Sequence, residues 1–183
     1  MVCAPAAVAM VWRWLYNSEF GLLNHMLNAI GLPKVNWVSD PKIAIVSVAV
    51  VGIWSVIGYN MVLFLAGLQE IPKDYYEAAE IDGANAVTQF FKITLPLISP
   101  TMFVVVITRV IASLQVFDSI FMMIDQSSPA LPKTQSLVYL FYRYAFVENN
   151  KGYGSTIIVL LLAIIMIITV FQMKAQKKWV HYN

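Results

Sequence analysis

Five carboxylates crowd into one short polar stretch of an otherwise apolar chain: Glu70, Asp74, Glu77, Glu80 and Asp82 lie between two long hydrophobic runs. Against Lys73 and Lys92, two positive charges to five negative, they leave residues 69–96 at −3 in a chain whose formal net charge is +2. Asp74, Glu77 and Glu80 recur every three residues and so form a row along one side of a helix. An acidic row on a helix is suited to meeting a basic protein surface. Beside it, Tyr75, Ala78, Ala79 and Asp82 share a broad face whose small alanines permit close approach by another backbone. Pro72 suits the first turn of such a helix and Gly83 its end, which predicts about eleven residues. A second short helix follows through Phe90 and Phe91 and stops near Pro96.

A second set of candidates sits inside apolar sequence. Arg109 lies midway along residues 97–124, and an arginine at that depth costs about 2.5–3.5 kcal/mol on insertion scales, so it should face a polar cavity or a partner. Ser113 is one turn further on the same face. Asp118 would be about 13 Å along the axis and half a turn round, out of reach within one helix. In the preceding apolar run Gly52, Ser55 and Tyr59 make a comparable stripe. An aromatic face can stack on the C–H surface of a sugar while hydroxyls hydrogen-bond to it, and an arginine leaves open an anionic solute. The competing reading is that Ser and Gly merely allow close helix packing. Trp54 and Asn60 read as packing or interface residues.

Other chemistries are excluded or unsupported. No G-x-x-x-x-G-K-[ST] phosphate loop occurs, so the chain cannot itself hydrolyse ATP. The lone Cys3 rules out a disulfide framework and a cysteine metal site. His25 and His181 have no acidic or cysteine partners in motif spacing and read as interfacial or solvated residues. The small net charge gives no footprint for nucleic acid. With 60% hydrophobic and 12% charged residues and a mean hydropathy of +0.70, the expected solvent is lipid.

A bilayer core of about 30 Å takes about 20 residues of apolar helix. Spans are predicted at 43–68, 97–124 and 154–173, the first and last uncharged throughout. Residues 1–16 are too short to cross and end in Trp12, Trp14 and Tyr16, as the end of a truncated span meeting an interface would; they lack the basic start of a signal peptide. Between spans, Ser18 to Ile30 reads as a short helix with Phe20, Leu23, Leu27 and Ile30 on one face, Ser18 as N-cap and Gly31 as C′ residue. It either lies along the membrane surface or covers neighbouring helices. The segment 125–153, Pro-rich and then aromatic at Tyr139, Phe141, Tyr142, Tyr144 and Phe146, reads as an external loop that acts as a cap. Lysine and arginine counts barely distinguish the two sides, and only Lys174 to Lys178 assign the tail 174–183 to the cytoplasm.

Glu77-Ala78-Ala79, Gly83 after three residues, Ile93 after nine more, and Leu95-Pro96 together resemble the EAA signature of the membrane subunits of bacterial ATP-binding-cassette importers. Seven residues at that fixed spacing should coincide by chance less than about once in ten million positions. Gly21-Leu22-Leu23-Asn24, Leu65-Ala66-Gly67-Leu68-Gln69, Asp82-Gly83-Ala84, Phe117-Asp118 and the ending Lys178-Trp179-Val180-His181-Tyr182 extend the likeness over nearly the whole chain. They resemble the carbohydrate-uptake, MalF/UgpA-like branch of the binding-protein-dependent transport inner-membrane components. The Thr-Gly-Gly-Pro-like turn of that branch is here Ile124-Asp125-Gln126-Ser127-Ser128-Pro129.

The resemblance implies an all-α integral membrane protein, a multi-span bundle of the type I importer (MetI-like) fold, incomplete at its N-terminus, in the bacterial cytoplasmic (inner) membrane. It implies that residues 70–96 are cytoplasmic and dock in a groove of a nucleotide-binding subunit through Glu77, Ala78, Ala79, Asp82 and Gly83. It places Ser55, Tyr59, Arg109 and Ser113 along the substrate pathway. The implied partners are two ATP-binding-cassette ATPase subunits, a second permease subunit, an extracytoplasmic solute-binding protein and membrane lipid. ATP and magnesium would be used by the ATPase subunits, this chain being no enzyme and binding no cofactor or metal. Hydrolysis would be transmitted as rigid-body rocking of the bundle. The expected cargo is a sugar or oligosaccharide; the alternatives are glycerol 3-phosphate or another anionic sugar-like solute, and, from another class, a self-sufficient channel or secondary carrier, or a non-transporting remnant.

Overall fold

The computed structural model describes residues 4–180; Cys3, His181 and Tyr182 lie outside them. All elements among the described residues are helical, as expected where lipid offers the backbone no hydrogen-bond partner. In chain order these are α1 (Pro5–Leu15), α2 (Leu22–Ala29), α3 (Ala44–Gln69), α4 (Asp74–Ile81), α5 (Ala86–Leu97), α6 (Ser99–Leu114), α7 (Asp118–Met123), α8 (Leu131–Thr134), α9 (Leu137–Val147) and α10 (Lys151–Trp179). α3 and α10 are each long and apolar enough to cross a membrane, and α5 with α6 forms a third candidate span bent by 62°. The chain divides into two units, residues 1–57 with 114–161 and residues 58–113 with 162–183.

The first unit is built around a buried cluster that includes Ala9, Tyr16, Val48, Val51, Ile120, Met123 and Tyr139. Ala9 and Ala44, both fully buried, keep helix surfaces close. Arg13 fastens the end of α1 to the last turn of α7 and the chain just after it: Nη1 donates to the Met122 carbonyl at 3.1 Å and Nη2 pairs with Asp125 at 2.6 Å. Tyr16 donates to the Ser47 carbonyl at 3.3 Å and its ring lies against Trp12 and Trp37. Asn24, only 3% exposed, is fully used. Its amide donates to the carbonyls of Ser18 and Val35, and its oxygen accepts from the Val35 N–H and the Trp37 indole, all within 3.2 Å. Two donors and two acceptor positions are thereby satisfied, and the segment 18–37 is tied around one side chain.

Two expectations change here. α2 begins at Leu22, not near Ser18: the Asn17 side chain accepts from the N–H groups of Glu19 and Phe20, an Asx turn that keeps Ser18 out of the helix, and Gly21 stands at the N-cap. At the other end Gly31 is the C′ residue of a Schellman motif, with Gly31 N–H bonded to Asn28 and Leu32 N–H to Leu27. The segment 125–153 is not a loop but largely helix, α8 and α9 followed by the start of α10. Tyr139 is buried there, and Tyr142 packs with Phe117 and Phe121.

The predicted 97–124 helix is also interrupted. α6 stops at Leu114, and Phe117 leaves helical geometry at φ −130°. The reason is tertiary: Ser136 donates to the Val116 carbonyl at 2.5 Å, while the Phe117 ring stacks on Phe121 and meets Tyr139 and Tyr142. Asp118 then opens α7 in its first turn, where a carboxylate favours the helix N-terminus. Arg109 and Asp118 thus belong to different helices and different units.

In the second unit the close approach of α3 and α6 is set by Gly67, because a Cβ at that position would collide with the Thr101 hydroxyl. The bend between α5 and α6 has a covalent cause. Pro96 and Pro100 each lack an N–H. Ahead of Pro96 the helix widens into a π turn at Phe90–Thr94, with Leu95 N–H bonded back to Phe90. Pro100 cannot donate to Pro96, whose carbonyl takes the Ser99 hydroxyl instead at 2.6 Å. The helix ends at Leu97, beside the expected stop near Pro96, and the chain turns at Ile98.

Candidate coupling surface and solute-facing site

α4 spans eight residues, shorter than the predicted eleven, because Pro72 stays outside it and Lys73 is the N-cap. Asp74 and Glu77 fall in its first turn, where negative charge complements the helix dipole. At its far end Gly83 adopts φ +77°. Gly83 N–H bonds to Glu80 and Ala84 N–H to Ala79, a Schellman closure that needs a left-handed C′ residue. Asn85 then caps α5, accepting from Thr88 N–H at 2.9 Å. The turn between the helices is thus fixed on both sides by local bonds. The Tyr76 and Thr94 hydroxyls, 2.9 Å apart, join α4 to the π turn.

Glu77, Ala78, Asp82 and Gly83 are exposed, whereas Ala79 is half-buried. Tyr75, Ala78 and Ile81, at i, i+3 and i+6, make the outward apolar strip. Ile81 is 87% exposed, and sequence reasoning did not single it out. Its signal was a lone β-branched aliphatic residue at the end of a helix otherwise made of acids, alanines and two tyrosines. None of Glu70, Asp74, Glu77, Glu80 and Asp82 takes part in an ion pair among the described residues. An unneutralised acidic rim around an apolar tip is an arrangement that recognises a basic surface with a hydrophobic pocket.

The four pathway candidates divide between the units. Ser55 lies in the first; Tyr59, Arg109 and Ser113 lie in the second. The Arg109 guanidinium sits over the Tyr59 ring, 5.6 Å from its centroid, and its Nε is shielded from solvent with no hydrogen-bond partner among the described residues. A cation–π contact of this kind contributes roughly 0.5–2 kcal/mol, less than the about 2.5–3.5 kcal/mol it costs to place arginine at mid-membrane depth. Ser113 is exposed and gives its proton to the Val110 carbonyl at 2.8 Å; Ser55 does the same to Gly52 at 2.9 Å. Both hydroxyls are left as acceptors. Asn60 Oδ1 and Gln172 Oε1, also in the second unit, are buried with no hydrogen-bond partner among the described residues. Each is an amide in a long apolar run; Asn60 was read from the sequence as a packing or interface residue, and Gln172 was not singled out.

Apolar helices of spanning length, a bent third span and polar side chains placed along them define an integral membrane protein. Residues 2–182 match the model of the binding-protein-dependent transport system inner membrane component, and the chain belongs to that family.

Among curated relatives, the sulfoquinovosyl glycerol transport system permease SmoG of Agrobacterium fabrum is 34% identical, over 87% of this chain and 51% of its own length. The trehalose/maltose transport system permease MalF of Thermococcus litoralis is 36% identical over 91% and 55%. The sn-glycerol-3-phosphate transport system permease UgpA of Brucella abortus is 37% identical over 98% and 61%. The chain spans between half and three fifths of the length of these relatives. A chain from the crystal structure of a bacterial ABC transporter involved in import of the acidic polysaccharide alginate superposes with a TM-score of 0.87 at 23% identity, over 97% of this chain and 62% of that one. The two chains therefore share a fold.

Proposed function

We propose that this chain is the permease subunit of an ATP-binding-cassette importer that carries a sugar or sugar-like solute across the inner membrane. The observation that carries the reading is the α4 tip: Ile81 exposed, ringed by unpaired carboxylates and held by the left-handed Gly83. A self-sufficient carrier has no use for such a surface. In the proposed assembly Glu77, Ala78, Asp82 and Gly83, with Ile81 as the apolar plug, dock on an ATPase subunit that uses ATP and magnesium. Ala79 holds the helix closure from behind. A second permease subunit and an extracytoplasmic solute-binding protein complete the complex.

Relatives whose names specify trehalose/maltose, glycerol phosphate and a sulfonated glycoside support a carbohydrate-like cargo. The test is affinity purification of the tagged full-length protein from its own membranes. Recovery of a Walker-A-containing ATPase is expected, with its loss on Glu77→Lys. Solute flux through liposomes holding this protein alone would instead establish the carrier reading.

A further inference from the structure

The chain has ten acidic residues, and none lies in α3, α6 or α10. Arg109 is thus a cation within an apolar helix for which this chain offers no counter-ion: among the described residues it makes neither an ion pair nor a hydrogen bond. Its one partner is the Tyr59 ring on the neighbouring span, at 5.6 Å. A ring contact of this kind uses none of the guanidinium N–H groups, so its donor edge has no acceptor among the described residues. That edge is a planar fork matched to an oxyanion and poorly used by a single hydroxyl. The ring is itself 47% exposed, so the pair stands at a surface of its unit and is not sealed in a core. Ser113, one turn away, has spent its proton on its own helix and can only accept, so it offers nothing that competes with Arg109 for an anion and something that receives a solute hydroxyl.

We propose that Arg109, backed by Tyr59, is the recognition group for an anionic, hydroxyl-bearing solute, a sugar carrying a carboxylate, sulfonate or phosphate. This rests on the importer reading and narrows its cargo. The pair supplies positive potential within an apolar helix, and it rejects neutral sugars by leaving the guanidinium unpaired when they occupy the path.

The test uses the complete complex in proteoliposomes with three probes: glucuronate, glucose 6-phosphate and maltose. Uptake of an anionic probe is expected, with Arg109→Gln raising its KM about tenfold or more at unchanged subunit stoichiometry. Arg109→Lys should fall between the two. Tyr59→Leu should move KM in the same direction, and Tyr59→Phe, which keeps the ring, should not. Uptake of maltose alone, indifferent to Arg109→Gln, overturns the anionic assignment and leaves the importer standing. Dissociation of the complex on Arg109→Gln also overturns it, since the counter-ion is then an acid of a neighbouring subunit. Failure of all three probes, with no ATPase bound, removes the importer reading and this inference together.

Discussion

The hydroxyls of Tyr76 and Thr94 meet at 2.9 Å, joining the exposed α4 to the π turn that leads into the bent span. Eighteen residues separate them in sequence, and the turn between is already fixed by Gly83 and Asn85. The bond therefore makes α4 and the lower part of α5 one lever, with the nearest soft point at Ile98, where two prolines have removed backbone bonds. Tyr76→Phe should cost about 0.5–1.5 kcal/mol of local stability and lower transport per ATP hydrolysed while ATPase binding persists. A double-mutant cycle with Thr94→Val is the check. The double variant should be little worse than either single one; additive losses would separate the two residues.

Gly83 tests the left-handed closure. A Cβ there meets nothing within 4 Å, so Gly83→Leu acts on the backbone, at about 1–2 kcal/mol, and on whatever docks over it. Gly83→Asn, which tolerates this geometry, should keep ATPase co-purification, and Gly83→Leu should lose it. Equal retention by both would dissociate the turn from docking.

How much of this was legible in sequence depended on what fixed each feature. α3 and α10 were legible because twenty uncharged apolar residues leave lipid-buried helix as their solution. Gly83 and Gly31 were legible because left-handed C′ positions favour glycine. The break at 115–117 was not: Val116 and Phe117 are unremarkable in an apolar helix, and only the Ser136 hydroxyl and the rings of Phe121, Tyr139 and Tyr142 make them leave it. The stop near Pro96 was legible from the proline itself, whereas the π turn ahead of it leaves no compositional trace. Arg109 was marked by its charge, but its ring partner could be found only once α3 and α6 lay side by side.

Asn24 is the most heavily bonded side chain of the first unit. Asn24→Leu keeps the volume but leaves the Val35 N–H, the Trp37 indole and two carbonyls without partners, a loss of roughly 2–4 kcal/mol. The expected result is a lowered unfolding temperature in detergent and faster proteolysis within residues 31–42. Asn24→Asp, which keeps the acceptors and loses both donors, should fall between. Unchanged stability in Asn24→Leu would mean that water replaces the network.

Sidedness is the remaining question that charge alone answers poorly, because cationic residues are spread almost evenly over the connecting segments. If α4 docks on a cytoplasmic ATPase, residues 70–96 face the cytoplasm. α3 and the bent α5–α6 span then carry residues 17–42 and 125–153 to the outside, and α10 returns the tail to the inside. Lys73 and Lys133 are both exposed, one in each kind of segment. On a Cys3→Ser background, Lys73→Cys should react with a membrane-impermeant thiol reagent only in inverted vesicles and Lys133→Cys only in spheroplasts. Labelling of both from the same side would sink this topology and, with it, the placement of α4 against a cytoplasmic ATPase.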